Sequence, residues 1–98
     1  MIEDLVSRVF AMRNAAHLAH WSTKSYAEHK ALGKFYSELI GKIDSIIEAY
    51  QGWFGLIGEV RMIVMSKKDI AEAIRTDLTW MGTNRDKICK KNTMMENL

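Results

Sequence analysis

The feature that most restricts the fold is a long helical repeat of apolar residues after Ser25. Apolar side chains recur at spacings of three and four residues from Leu32 to Tyr50, which is the periodicity of one helix face. The stretch "SYAE" at 25–28 is a capping box, in which Ser25 accepts from the amide of Glu28 and the glutamate reaches back. The pattern predicts a helix over 25–51, about 38 Å long, that ends at a glycine.

A first helix is predicted upstream of this repeat. Leu5, Val9 and Met12 recur at helical spacing within 2–21. The polar stretch that follows is short, and a short loop between two helices makes them antiparallel neighbours. The two segments therefore predict a helical hairpin.

The remainder of the chain is also interpreted as mainly helical. Residues 52–65 are apolar but interrupted by glycines, so they form a packed crossover, a short helix or a strand. A third helix is predicted over 66–82, or as far as 90, with Ala73 and Asp77 on one face. The segment 93–98 has the pattern of the start of a further helix.

Composition places the chain in a narrow class. Hydrophobic residues make up 48% of the 98 residues and proline is absent, so 1–98 is expected to fold as one helical domain. The single cysteine, Cys89, cannot form an internal disulfide. No stretch approaches the roughly 20 apolar residues that span a bilayer, and the first ten residues do not resemble a signal peptide. These features indicate a cytoplasmic protein without a membrane segment.

Three helices leave apolar surface without a partner. The first two predicted helices are too long to be covered by a shorter third one, so the chain is an incomplete four-helix bundle. Self-association would complete it. We therefore expect an all-α domain that forms a homodimer or a higher homo-oligomer.

Polar residues on the second helix suggest a metal site. His29 lies within its apolar arc, Asp44 lies at the border of that arc, and Glu48 is one turn further on. Carboxylates and imidazole together bind iron, manganese or zinc. His29 and Asp44 are about 22 Å apart along one helix, so they cannot share an ion within one chain. Two antiparallel copies would bring them level and add His17 or His20 from the end of the first helix.

Small residues and a tryptophan accompany these side chains. Gly33, Ser37 and Gly41 form a stripe beside Asp44, and a glycine within a helix costs about 1 kcal/mol relative to alanine. The stripe is interpreted either as a tight helix contact or as tolerated exposed positions. Trp21 is expected to be a core residue.

The segment "AHWSTKSYAEHKALGKFYSELIGKIDSIIEAYQGWFG" resembles the first two helices of Dps, the miniature ferritins, and the resemblance covers roughly residues 10–55. The spacing of His29, Asp44 and Glu48 is the same as in that family. His20 forms the histidine–tryptophan pair of the family, whereas His17 keeps its spacing of twelve residues to the second histidine. The segment "HWSTKSYAEHKALG" is similar to the corresponding part of uncharacterised Dps-like proteins of tailed bacteriophages.

The resemblance implies a ferritin-like bundle with a di-iron ferroxidase centre shared across a dimer interface, in the host cytoplasm if the chain is phage-encoded. Several features depart from the family. The loop is three residues shorter, Gly33 stands where Dps often has an acidic residue, and the fourth helix is missing or only begun. A complete storage shell is therefore not implied, and whether the chain oxidises iron stays open.

Two other functions compete with metal binding. The apolar crossover "GWFGLIGEVRMIVM", with Trp53 and Phe54, would be the contact surface of a helical interaction protein that binds a host or virion protein. Nucleic-acid binding would use a basic cluster near the carboxyl end, although a solvated helix end is the simpler interpretation of that cluster. The cluster consists of Arg85, Lys87, Lys90 and Lys91.

Overall fold

The computed structural model describes residues 1–65, 70–90, 92 and 95. Across these residues the chain forms three α-helices and no strand: α1 (Ile2–Ser22), α2 (Tyr26–Phe54) and α3 (Ile70–Cys89). The all-α prediction is confirmed. The predicted start of the third helix at 66–69 and most of the segment 93–98 lie outside the described residues. None of the described helices is long and apolar enough to cross a membrane.

The hairpin between α1 and α2 is closed by hydrogen bonds at both helix ends. The Thr23 amide donates to the Ala19 carbonyl over 2.9 Å. At the start of α2, the Ser25 hydroxyl accepts from the Glu28 amide over 3.2 Å, as the capping box predicts. The Ser25 amide donates to the Thr23 hydroxyl over 3.2 Å. A side chain of the loop, Thr23, therefore accepts the hydrogen bond of the Ser25 amide.

The second helix continues through Gly52, where the sequence suggested an end. The chain leaves the helix at Gly55, whose φ of 93° is in the region that favours glycine. Its amide donates to the Gln51 carbonyl over 3.0 Å. The Phe54 ring packs on Tyr50 at 4.9 Å between centroids. These contacts extend α2 to 29 residues.

A crossover, residues 55–65, runs back along α1 without helix or strand. The Gly58 amide donates to the Glu3 carboxylate over 2.7 Å. Further along, the Ser7 hydroxyl donates to the Arg61 carbonyl. The crossover therefore starts beside the first turn of α1 and continues along that helix towards its carboxyl end.

The contact between Glu3 and Gly58 predicts an acid-dependent stability. The Gly58 amide lowers the pKa of the Glu3 carboxyl, with smaller contributions from its own backbone amide and the terminal ammonium group. A carboxylate with a lowered pKa stabilises the fold above its ordinary pKa, and this contribution is lost as the pH falls through the folded-state pKa. Thermal melts between pH 7 and pH 3 should show a smaller loss of stability for Glu3→Gln than for the unaltered chain. Equal losses would contradict this.

The third helix packs along α1 and runs parallel to α2. Near its middle, Asp77 pairs with Arg8 over 2.9 Å, and at its end the Lys90 ammonium lies 4.7 Å from the centre of the Phe54 ring. The ends of α2 and α3 therefore meet, so these two helices are parallel and both are antiparallel to α1. Among the described residues, α1 packs against both, whereas α2 and α3 hardly touch each other.

The core is centred on α1. Met12 is only 2% exposed and Ala16 is fully buried. Side chains of α2, α3 and Met95 pack around the first half of α1 in one apolar cluster; its buried members are Ile2, Leu5, Val6, Val9, Ile43, Tyr50, Ile88, Cys89 and Met95.

Candidate functional site: the histidine pair and its surroundings

His20 and His29 form a pair that joins the end of α1 to the start of α2. Their rings stack with centroids 3.6 Å apart and planes 17° apart. The Nδ1 atom of His29 donates to the His20 carbonyl over 2.7 Å, and the Nδ1 atom of His20 donates to the His29 carbonyl. A carbonyl only accepts, so both Nδ1 atoms carry the hydrogen and neutral rings keep their lone pairs on Nε2. Metal-binding histidines use this arrangement, with the second nitrogen held by a carbonyl.

His17 lies one turn before His20 on α1, against an aromatic ring of α2. Its imidazole stacks on Tyr36 with centroids 4.1 Å apart and also contacts the Trp21 ring at 4.5 Å. Desolvation lowers the pKa of His17, and the nearby Arg13 and His20 lower it further. The neutral imidazole, which is the form that binds metals, is therefore favoured.

Gly33 is the position against which the pair is packed. A Cβ atom at Gly33 would lie 2.9 Å from Cε1 and 3.2 Å from Nδ1 of His20. A Cβ atom at Gly41 would meet nothing within 4 Å. The predicted small-residue stripe thus has two different parts. Gly33 makes room for a histidine of α1 rather than for a second backbone, and Gly41 lies in open space.

The proposed carboxylate ligands lie elsewhere on α2. Asp44 and Glu48 are both exposed, and Asp44 is about 22 Å along the helix from His29. In the described part of the chain, no group of three or more histidine, cysteine or acidic side chains could hold an ion. The lone pairs of the stacked pair lie in nearly parallel planes, so they do not converge on one ion. One chain therefore brings the histidines together but not the carboxylates.

A second feature, the crossover patch, lies where the crossover passes the end of α1. It consists of Leu18 and Trp21 from α1 with Ile63 and Val64 from the crossover, and these residues line a shallow cavity of about 380 Å³. Trp21 is 68% exposed and Val64 is 94% exposed. The expectation that Trp21 is a core residue is wrong. The exposed crossover follows the sequence prediction, but the part of the patch that belongs to α1 was missed.

The described members of the basic cluster are all exposed, but they differ in their contacts. Arg85 and Lys87 lie on the exposed side of α3. Lys90 lies over Phe54, and its Nζ is also 5.4 Å from the centre of the Tyr50 ring. Lys91 lies outside the described residues. The Lys90 side chain therefore helps to hold the end of α3 on α2.

Comparison with known proteins places the chain in a family. The sequence model of a family described as "Family of unknown function (DUF5856)" matches residues 20–98. The chain belongs to this family. The match includes the histidine pair, all of α2 and all of α3.

A relative from Enterobacteria phage T4 is described as "Uncharacterized 14.6 kDa protein in mobD-ri intergenic region". It is 40% identical over 53 residues, which are 54% of this chain and 41% of the phage protein. The match thus spans less than half of the relative. No solved structure matches. Neither of the two matches is described as Dps or ferritin, so that resemblance stays a prediction.

Proposed function

We propose that this chain is a helical interaction protein that binds another protein through the crossover patch. The observation that carries the proposal is that Trp21 and Val64 are both strongly exposed and line the same cavity. Apolar side chains that cluster on a surface, rather than occurring singly, mark sites of protein–protein contact. Tryptophan is among the residues most enriched in binding hot spots.

The phage relative is the observation that guides the choice of partner class. The relative is a phage protein, so we propose a host or virion protein as the partner, and the host cytoplasm as the place of binding. The three helices act as a rigid support in this proposal. The crossover is tied to α1 by the contacts of Gly58 with Glu3 and of Arg61 with Ser7.

Affinity capture from cells of a bacterial host tests the proposal with a matched pair of variants. Val64→Asp places a charge within the crossover patch, whereas Leu56→Asp places it at an 87% exposed position elsewhere on the same crossover. We expect a stoichiometric partner to be lost with Val64→Asp and retained with Leu56→Asp. Circular dichroism should show both variants folded. A partner that both variants retain would overturn the role of the patch.

The second candidate is the metal site shared between two copies, and the histidine pair is the observation that favours it. Each Nδ1 is engaged by a backbone carbonyl, which leaves Nε2 as the nitrogen that could bind a metal. The Dps-like spacing would bring His29 level with Asp44 and Glu48 when two α2 helices pair antiparallel. At 100° per residue, Ile40 lies between His29 and Asp44 around the helix. Ile40 is exposed, so the pairing would cover an apolar side chain. Iron is the proposed ion, with manganese and zinc as alternatives.

Native mass spectrometry of the untagged protein before and after anaerobic ferrous iron tests the second candidate. Two or more ions per dimer should bind. His29→Ala and Glu48→Ala should remove them, whereas Glu38→Ala, an exposed carboxylate on another face of α2, should not. Parallel His17→Ala and His20→Ala samples decide which histidine of α1 takes part. An oligomer that takes up no iron, manganese or zinc would exclude the shared site.

A further inference from the structure

The cavity of the crossover patch contains an arginine and no acidic residue. Besides the four apolar residues of the patch, its lining includes Arg13, Asn14 and His17 of α1. None of the described residues that line the cavity is an aspartate or a glutamate. Arginine keeps its charge throughout the physiological pH range, so a molecule that enters the cavity meets a cation beside apolar side chains.

The Arg13 guanidinium is only partly satisfied within the chain. Its Nη1 donates to Asn14 Oδ1 over 3.1 Å, and its Cζ lies 5.4 Å from the centre of the Tyr36 ring. Its Nε is buried and has no hydrogen-bond partner in the described part of the chain. The ion pairs between described residues do not include Arg13. One amide oxygen therefore accepts from a group that has five N–H donors, and no carboxylate balances its charge.

Arg8, five residues earlier on the same helix, shows the complete form of this arrangement. Its guanidinium lies over the Trp80 ring at 4.2 Å and pairs with the Asp77 carboxylate over 2.9 Å. Arg13 also lies over an aromatic ring, that of Tyr36, but the described residues supply no carboxylate. The missing component at Arg13 is therefore an acid.

Arg13 can be reached from outside the molecule. Its hydrogen bond to Asn14 lies at the exposed surface, and the side chain as a whole is half-buried. Leu18, which lines the same cavity, is 60% exposed. A partner that covers the apolar part of the patch would thus also cover the guanidinium, and would have to offset its charge.

We propose that the crossover patch binds an acidic side chain of its protein partner, which Arg13 holds while apolar side chains of the partner pack on Trp21 and Val64. This inference rests on the function proposed above and specifies the chemistry of the partner segment. A carboxylate accepts two N–H groups of one guanidinium at once, which is more than the Asn14 oxygen provides. A basic segment would be repelled from the same surface.

An NMR titration of the isotope-labelled full chain with two short peptides tests the inference. Both peptides have blocked ends, and they differ only in carrying aspartate or asparagine between a leucine and a phenylalanine. The indole N–H signal of Trp21, assigned with Trp21→Phe, reports binding at the patch. We expect the aspartate peptide to shift this signal saturably and to bind at least about fivefold tighter than the asparagine peptide, because a charged acceptor strengthens the hydrogen bonds of a guanidinium.

Variants of the arginine locate the carboxylate. Arg13→Gln should abolish the preference for the aspartate peptide. Arg13→Lys should retain part of it, because the charge remains while the planar fork is lost. Arg75→Gln removes an exposed arginine of α3 that does not line the cavity, and it should leave the preference unchanged although the net charge changes equally. Circular dichroism reports the folding of each variant.

Several results would overturn the inference. These are a failure of the aspartate peptide to bind, equal affinity of the two peptides, and a preference that Arg13→Gln leaves unchanged. Inorganic phosphate that shifts the Trp21 signal as strongly as the aspartate peptide would overturn it as well, because the patch would then recognise any anion.

The capture experiment described above separates this inference from the proposed function. Loss of the partner with both Val64→Asp and Arg13→Gln supports both. A partner that is lost with Val64→Asp but retained with Arg13→Gln would leave the patch as the interaction surface and exclude Arg13 as its acid-binding residue. A partner that Val64→Asp retains would remove the interaction surface itself.

Discussion

Replacing Arg8 by alanine should lower the free energy of unfolding by about 3 kcal/mol, because the change leaves a buried carboxylate without its cation. Arg8 Nη1 lies 2.9 Å from Asp77 Oδ1, and the Asp77 side chain is only 8% exposed. The other carboxylate oxygen, Oδ2, is buried and has no hydrogen-bond partner in the described part of the chain. Without Arg8, no cation in the described structure is paired with Asp77. Urea unfolding followed by circular dichroism measures the effect.

Arg8 also has a packing role, which adds to the loss. Its guanidinium lies 4.2 Å from the centre of the Trp80 ring. A cation over a tryptophan face contributes about 0.5–1 kcal/mol at a partly exposed site. The alanine variant loses this contact together with the ion pair. Since both contacts join α1 to α3, the loss should appear first as loosening of α3.

Two comparisons make the Arg8 prediction specific. Lys34→Ala removes the cation of an exposed pair with Glu38, whose atoms are 4.0 Å apart, and should change stability by less than about 0.5 kcal/mol. The double variant Arg8→Met with Asp77→Leu replaces the pair by apolar side chains and should recover most of the loss. If Arg8→Ala and Lys34→Ala had equal effects, the Arg8–Asp77 pair would not be a structural contact in solution.

Sequence periodicity was sufficient for the local structure but not for the partners across the fold. It placed Asp77 on the same face of the third helix as Ala73, which is buried. It could not name Arg8 as the partner, because the two residues are 69 positions apart and no local pattern links them. The end of α2 was placed three residues early for a related reason. Gly52 is compatible with a helix because Phe54, two residues later, packs on Tyr50, two residues earlier.

In the candidate site, too, the sequence predicted local placement but not the contacts between helices. Spacing predicted that a histidine at the end of the first helix would lie beside His29, and the hairpin brings His20 there. Spacing did not predict that both Nδ1 atoms would bind backbone carbonyls, because such contacts depend on the turn between the helices. It also left Gly33 open between a tight helix contact and a tolerated exposed position, whereas its neighbour is the imidazole ring of His20.

Gly33→Ala should destabilise the chain by about 1–2 kcal/mol, although alanine is the better helix former by about 1 kcal/mol. The new Cβ would lie 2.9 Å from Cε1 of His20, closer than two carbon atoms can pack. The ring cannot move away without cost, since its Nδ1 is bonded to the His29 carbonyl and its face is stacked on the other imidazole. Overpacking of this kind costs about 1–3 kcal/mol. Thermal and urea unfolding measure the difference.

Gly41→Ala provides the matched control on the same helix. A Cβ there meets nothing within 4 Å, so the variant should gain up to about 1 kcal/mol from helix propensity alone. In a His20→Ala background the obstacle at Gly33 is removed, and Gly33→Ala should then be stabilising as well. The sign of one substitution would therefore depend on a residue of the other helix, with a coupling of about 2–3 kcal/mol. A Gly33→Ala effect that is the same in both backgrounds would show that the His20 ring does not rest on Gly33, and the reciprocal bonds of the histidine pair would have to be reassigned.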